Sequence, residues 1–349
     1  MKQTLRHFAR SIRQVTFAGA RTVGGFRWLG NSDWRRRHLL ILCYHGVSLR
    51  DEHEWDPELF VSPAFLRRRF EILRDTGCTV LPLGEAVRAL RSGTLPRRSV
   101  VLTFDDGFYN YLAAAVPLLE QFRYPATNYV SSYYSIHQRP ILQLALRYLL
   151  WRARQQVLSP GHFPGQTNAT DLGDHPQREM LASHLLVDVR KLSGNRDAQQ
   201  AWLADVAARL GIDWSIVLQN RLFHLMTAAE IAEAARRGTN IQLHTHRHRT
   251  PRDESQFTSE VVENRSYLEA QTGQPAVHFC YPSGDVDSMF LPLLRGLNVE
   301  TATTCEVDMA RSTHDPLLLP RFVDTMGQSE LAFESWLSGM GALLRTRSS

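Results

Sequence analysis

From residue 39 onward the chain is punctuated by short, largely apolar runs at 39–44, 99–104, 126–130, 240–243 and 277–281. Their lengths and the lack of a clean apolar/polar alternation predict parallel strands buried on both faces. Helical spacing fills the stretches between them. Ser62-Pro63 offers an N-cap followed by proline at the first helical position, which predicts a helix over 63–76. Thr227 with Glu230 makes a capping box for a helix over 228–237, and Gly238 ends it. This alternation predicts an α/β fold, a distorted (β/α) barrel.

The strands at 126–130 and 240–243 are further apart than one crossover needs. Residues 139–157 and 179–210 carry helical periodicity around a polar loop at 159–176. The stretch 136–225 therefore reads as a largely helical insertion between barrel segments 39–135 and 226–330, with 331–349 as a C-terminal helix and tail. Ahead of the barrel, 1–38 reads as an amphipathic arm. Leu5, Phe8, Ala9, Ile12 and Val15 share one helical face, Arg6, Arg10 and Arg13 lie elsewhere, and a glycine-rich stretch from Gly24 to Gly30 breaks the pattern.

At 349 residues, 43% hydrophobic and 21% charged, the composition excludes a disordered, collagenous or disulfide-scaffold protein. The net charge of +5 is unevenly spread. Lys2 and eight arginines oppose only Asp33 in the arm, giving +8 there and leaving −3 for the rest. The barrel is thus not basic, and nucleic acid is not an expected partner. The arm suits either packing on the barrel or peripheral contact with an anionic membrane. No run reaches the roughly 18–20 apolar residues of a membrane span, and arginines interrupt the N-terminal apolar stretches, so a cytoplasmic location is expected. Cys43, Cys78, Cys280 and Cys305 lack any C-x-x-C spacing and read as reduced, mostly buried thiols.

Candidate chemistry falls at strand ends, where a barrel of this class places its reactive groups. Thr103-Phe104-Asp105-Asp106-Gly107 directly follows Val100-Val101-Leu102, and two adjacent carboxylates diverge, so one can hold a cation while the other meets substrate. His244, His246 and His248 cluster after the run at 240–243; two imidazoles and a carboxylate leave an open position on zinc, and spacing alone leaves open which two. Tyr44-His45, Phe279–Gly284 and Leu319-Pro320-Arg321 complete the set.

On these motifs the chain resembles the NodB-homology polysaccharide deacetylases, metal-dependent carbohydrate N-deacetylases. Thr103–Gly107 matches the T-F-D-D-G motif, His244-Thr245 with His248 matches H-[ST]-x-x-H, and Phe279–Gly284 resembles F-x-Y-P-x-G. The resemblance covers roughly 39–135 and 226–325. It implies the deacetylase-type barrel, with Asp106, His244 and His248 holding one divalent ion, zinc foremost. It also implies Asp105 as general base, and Tyr281 and Ser283 at the substrate and oxyanion. Two departures shift roles. Cys280 occupies the place of an arginine that orients the catalytic aspartate, which points to Arg321 instead. The usual C-terminal histidine motif is missing, since His314 lies in a polar, proline-flanked stretch; a Tyr-His pair, as in biofilm poly-N-acetylglucosamine deacetylases, makes His45 the expected acid. The function implied is removal of N-acetyl groups from a polysaccharide or glycan precursor, as in exopolysaccharide biosynthesis. Hydrolysis of another C–N amide bond, or a non-catalytic glycan-binding barrel, are the alternatives.

Overall fold

A computed structural model describes residues 15–345 apart from 191, 193 and 194. The described residues up to Ile136 and from Met226 onward make one compact unit, and His137–Leu225 makes a second.

The first unit is built on a curled sheet of eight parallel strands: β1 (Leu40–Tyr44), β2 (Thr79–Val80), β3 (Ser99–Phe104), β4 (Ala126–Val130), β5 (Thr239–Leu243), β6 (His278–Cys280), β7 (Thr301–Thr303) and β8 (Phe322–Val323). Their order is β7-β6-β5-β4-β3-β1-β8, with β2 alongside the start of β3. β1 and β3 run level, Leu40 opposite Val100 through to Tyr44 opposite Phe104. The residues following these strands, His45 and Asp105, therefore emerge together. β4 and β5 are level in the same way, ending at Val130 and Leu243, so His244 emerges beside Ser131.

One segment joins the two ends of this sheet. The Leu319 amide donates to Ala302 O and the Thr304 amide to Leu319 O, both at 2.9 Å, on the β7 side. Three residues on, Phe322 and Val323 pair with Leu42 and Cys43 of β1. Arg321 lies at this seam.

Strand alternation sorts the core into two layers. Leu40, Leu42, Tyr44, Leu102 and Phe104 face the surrounding helices. Leu39, Ile41, Val101, Tyr129, Cys280 and Leu319 fill the other face. A fully buried ion pair stabilises the helix Pro63–Asp75 on this framework. Arg69 donates to Asp324 at 2.9 and 3.2 Å, between the rings of Phe65 and Phe333, and Tyr44 Oη donates to the same carboxylate at 2.9 Å.

The helix starts agree with the sequence reading. Ser62 Oγ accepts the Phe65 amide, and both hydrogen bonds of the Thr227–Glu230 capping box are present. The short strands β2, β7 and β8 escaped prediction because two or three residues carry no readable period.

The described end of the arm turns its apolar side inward. Phe17, Phe26 and Leu29 are buried, and fully buried Arg35 donates to Leu337 O, His38 O and Ser99 O, its pKa lowered by burial to about 10. Val15, Val23 and Trp28 are exposed. Leu5, Phe8, Ala9 and Ile12 lie outside the described residues.

The second unit carries the helices Leu142–Arg152, His175–Arg190, Arg196–Arg209 and Ser215–Gln219 and a small antiparallel pair, Val157–Leu158 with Thr170–Asp171. The continuous period over 179–210 belongs to two helices, the second capped by Asn195, which accepts the Ala198 amide. Among the described residues no helix is long and apolar enough to cross a membrane.

Candidate active site

Asp105 leaves β3 with its amide donating to Tyr44 O, and its carboxylate is nearly fully buried. Arg321 grips it from the seam, Nη1 on Oδ1 and Nη2 on Oδ2, each at 2.8 Å. The rest of that guanidinium is also committed: Nε to Thr304 O, Nη1 to Thr103 Oγ1, and Nη2 to Cys280 Sγ. A fork held at all of its edges fixes the carboxylate in orientation. Burial alone would raise the Asp105 pKa. The Arg321 charge and hydrogen bonds overcome it and, with smaller contributions from His45 and His244, hold the group well below the usual carboxylate range. His45, partly exposed, brings Nε2 to 3.8 Å from Asp105 Oδ2.

The next residue turns the other way. Asp106 adopts φ 72°, in the left-handed region, and Gly107 follows at φ 84°. A Cβ on Gly107 would lie 2.6 Å from Val130 Cγ1, so the turn requires glycine there. The reversal carries Asp106 Oδ1 to 3.2 Å from His244 Nε2 and 3.1 Å from His248 Nε2.

The hydrogen bonds of His244 define its ring. Its Nδ1 lies 2.9 Å from Cys280 O, which can only accept, so Nδ1 carries a proton. In the neutral imidazole, Nε2 is then a lone pair aimed at a carboxylate oxygen. Two acceptors at 3.2 Å need a proton or a cation between them. Burial opposes the proton, while Asp106 and Asp105 favour it and raise the His244 pKa. The same three donor atoms lie within 4.8 Å of one another, and an oxygen with two imidazole nitrogens is a ligand set for a divalent ion such as zinc.

Helix Glu254–Thr272 holds these imidazoles in place from behind. Asn264 accepts the His244 amide at 2.9 Å and donates to Val130 O. One turn earlier, fully buried Glu260 accepts from the Arg247 amide at 2.7 Å, from Arg247 Nη1 at 3.1 Å and from Arg249 Nε at 2.6 Å. These contacts clamp the loop on both sides of His248, whose own φ is 53°.

The structure thus brings together Asp105, Arg321 and His45, and beside them Asp106, His244 and His248. His246 is turned elsewhere: Nδ1 meets Ser132 Oγ at 2.8 Å and Nε2 meets Glu263 at 3.4 Å. His314 is tied to Arg311. Tyr281, expected at the substrate and oxyanion, has its side chain directed elsewhere. Cys280 takes the inward position of this strand end, so Tyr281 falls on the helix-facing side, ringed by Phe279 and Phe290, with its hydroxyl donating to Leu317 O and its amide to Thr303 O. Its side chain does not face the carboxylates. Ser283 sits exposed on the turn Pro282–Gly284 at φ 56°.

Three participants were not singled out from sequence as site residues: Asn264, Glu260 and Cys43, whose sulfur lies 3.6 Å from Asp105 Oδ2. Asn264 and Glu260 lie four apart on one helical face and are both fully buried, a polar stripe where an apolar one is usual. Cys43 carried no local signal.

Residues 208–302 match the model of the polysaccharide deacetylase family, a span that contains His244–His248 and Phe279–Gly284 but not Thr103–Gly107. Over 99 residues the chain is 31% identical to the poly-beta-1,6-N-acetyl-D-glucosamine N-deacetylase of Escherichia coli strain K12, covering 28% of this chain and 14% of that relative. The match therefore spans about a seventh of the relative's length. Solved structures share the fold. The Streptococcus pyogenes deacetylase PplD, in complex with acetate, superposes with a TM-score of 0.55 at 20% identity, over 84% of this chain and 94% of its own. IcaB from Ammonifex degensii gives 0.54 at 17% identity, over 87% and 97%. Sequence match and fold point the same way: residues 208–302 are similar to the polysaccharide deacetylase family, and most of the chain shares the fold of solved deacetylase structures.

Proposed function

We propose that this chain is a metal-dependent N-deacetylase that releases acetate from an N-acetylated glycan. The observation that carries this reading is the juxtaposition of an ionised, arginine-held Asp105 with the Asp106–His244–His248 donor set and with His45. Asp106, His244 and His248 would hold the ion, zinc foremost for a nitrogen and oxygen donor set. A divalent ion there supplies Lewis acidity, acidifying water and polarising a carbonyl.

The residues of the chain do the rest. Asp105 takes a proton from the attacking water as its oxygen bonds to the acetyl carbon. Arg321 keeps that carboxylate ionised and aimed, at the cost of making it a weak base, so the chemistry depends on water being acidified. His45, at the partly exposed mouth beside Asp105, delivers a proton to the departing nitrogen as the C–N bond breaks. Acetate and a free amine result. The backbone near Ser283 is the candidate oxyanion donor, since its turn follows β6.

The named substrate of the Escherichia coli relative makes β-1,6-linked N-acetylglucosamine oligomers the first to assay, with chitin oligomers, nucleotide-sugars and lipid-linked glycans beside them. Acetate release by zinc-loaded protein is expected, and Asp105→Asn should lower it about 10²–10⁴-fold. Zinc-loaded protein that releases no acetate from any of the four would overturn the proposal.

A further inference from the structure

Asp105 Oδ2 has two neighbours that the reaction above does not explain together. Cys43 Sγ lies 3.6 Å from it and His45 Nε2 lies 3.8 Å from it, and the three donor atoms fall within 4.8 Å of one another. A tetrahedral zinc with a thiolate, an imidazole and a carboxylate sets its ligand atoms about 3.3–3.8 Å apart. Cys43 points inward from β1, level with Thr103 of β3, so its sulfur is aimed at the carboxylate by strand register. Cys280 also touches Oδ2, at 3.4 Å, but its sulfur receives Arg321 Nη2 at 3.2 Å, whereas among the described residues the Cys43 sulfur hydrogen-bonds Asp105 and Tyr44 O and no guanidinium. A carboxylate oxygen has lone pairs enough to keep Arg321 and meet a cation. His45, partly exposed, leaves a way in.

We propose that Cys43, His45 and Asp105 form a second zinc site, distinct from the Asp106–His244–His248 set, through which excess zinc inhibits the protein. Binding forms a Zn–S bond as the Cys43 thiol loses its proton to solvent, and occupies Asp105 and His45. Arg321 and an ion at the neighbouring set both repel the incoming cation, so this site is the weaker of the two. Only the inhibitory consequence rests on the deacetylase reading; the site itself is tested by metal binding alone.

The test titrates metal-stripped, full-length protein with zinc, counting bound ions, and then with cadmium, following the ultraviolet charge-transfer absorption of a cadmium–thiolate bond. Wild type should bind two ions, with the thiolate band arising with the second. Cys43→Ala should bind one and lose the band. His45→Ala, which leaves every thiol in place, should weaken the second equivalent at least tenfold, and Cys305→Ala should retain it. In the acetate assay, inhibition should follow occupancy of the second equivalent. A single equivalent in wild type, or a second ion with its band unchanged in Cys43→Ala, would overturn the site. If two ions bind as described but no substrate is turned over, the site survives and the deacetylase reading fails.

Discussion

Arg321 and Asp105, 216 residues apart in sequence, are joined by two parallel hydrogen bonds of 2.8 Å inside the curled sheet. The guanidinium reaches the carboxylate because the segment Leu319–Val323 bridges β7 and β1, placing Arg321 across the sheet end from β3. In a chain with cysteine at the end of β6, the charge that orients the aspartate comes from the other side of the seam.

Arg321→Lys should preserve the charge but lose the fork. Burial then acts on Asp105 with less opposition, and its pKa rises. A base that protonates more readily needs a higher pH to be ionised, so the acid limb of the kcat/KM profile moves upward. At neutral pH the loss should be on the order of 10-fold or more. Acetate release measured across pH gives the answer; a limb in its wild-type position would show that Arg321 does not control the base.

Glu260 touches no expected ligand of the ion, yet it fixes the loop that carries His248 through Arg247 and Arg249. Glu260→Gln removes the charge while keeping the shape, and should weaken zinc binding about 10–100-fold, as loss of a support behind a ligand generally does. Competition against a chelator reports this directly, with thermal unfolding of the metal-free protein as the control for folding. Wild-type zinc affinity in a folded variant would refute the role.

His278, on β6, is buried with Nδ1 2.9 Å from Thr301 Oγ1. Burial, aided by the Arg88 charge, lowers its pKa to about 4. The unfolded chain therefore binds this proton first as pH falls. The stability tied to neutral His278 is present above about pH 6.5 and is lost progressively down to about pH 4, at most about 3 kcal/mol. Asn does not titrate, so the stability difference between wild type and His278→Asn should shift against wild type across that window. Urea unfolding at about pH 7 and about pH 4.5 measures it; a difference that does not change with pH would show that the imidazole is not held neutral.

Much of the first unit was legible because its signals are local. The runs at 39–44, 99–104 and 126–130 are buried on both faces of the sheet, and strands sealed on both sides are mostly apolar whatever their partners are. Ser62 and Thr227 opened their helices because a cap answers amides two or three residues away. Asp105, Asp106, His244 and His248 were legible as chemistry because carboxylates and imidazoles at strand ends have few structural uses.

The sequence by itself determined the longer strands, the helix starts and the types of reactive group at the strand ends, all of which depend on neighbours within a few residues. Tertiary structure alone decided which groups meet. Strand register turned Cys43 and Cys280 toward Asp105 and turned Tyr281 away from it. Joining the sheet ends brought Arg321 across the sheet, and the buried face of Glu254–Thr272 selected the loop conformation that presents His248. These are pairings between residues far apart in the chain, and no short-range pattern encodes them.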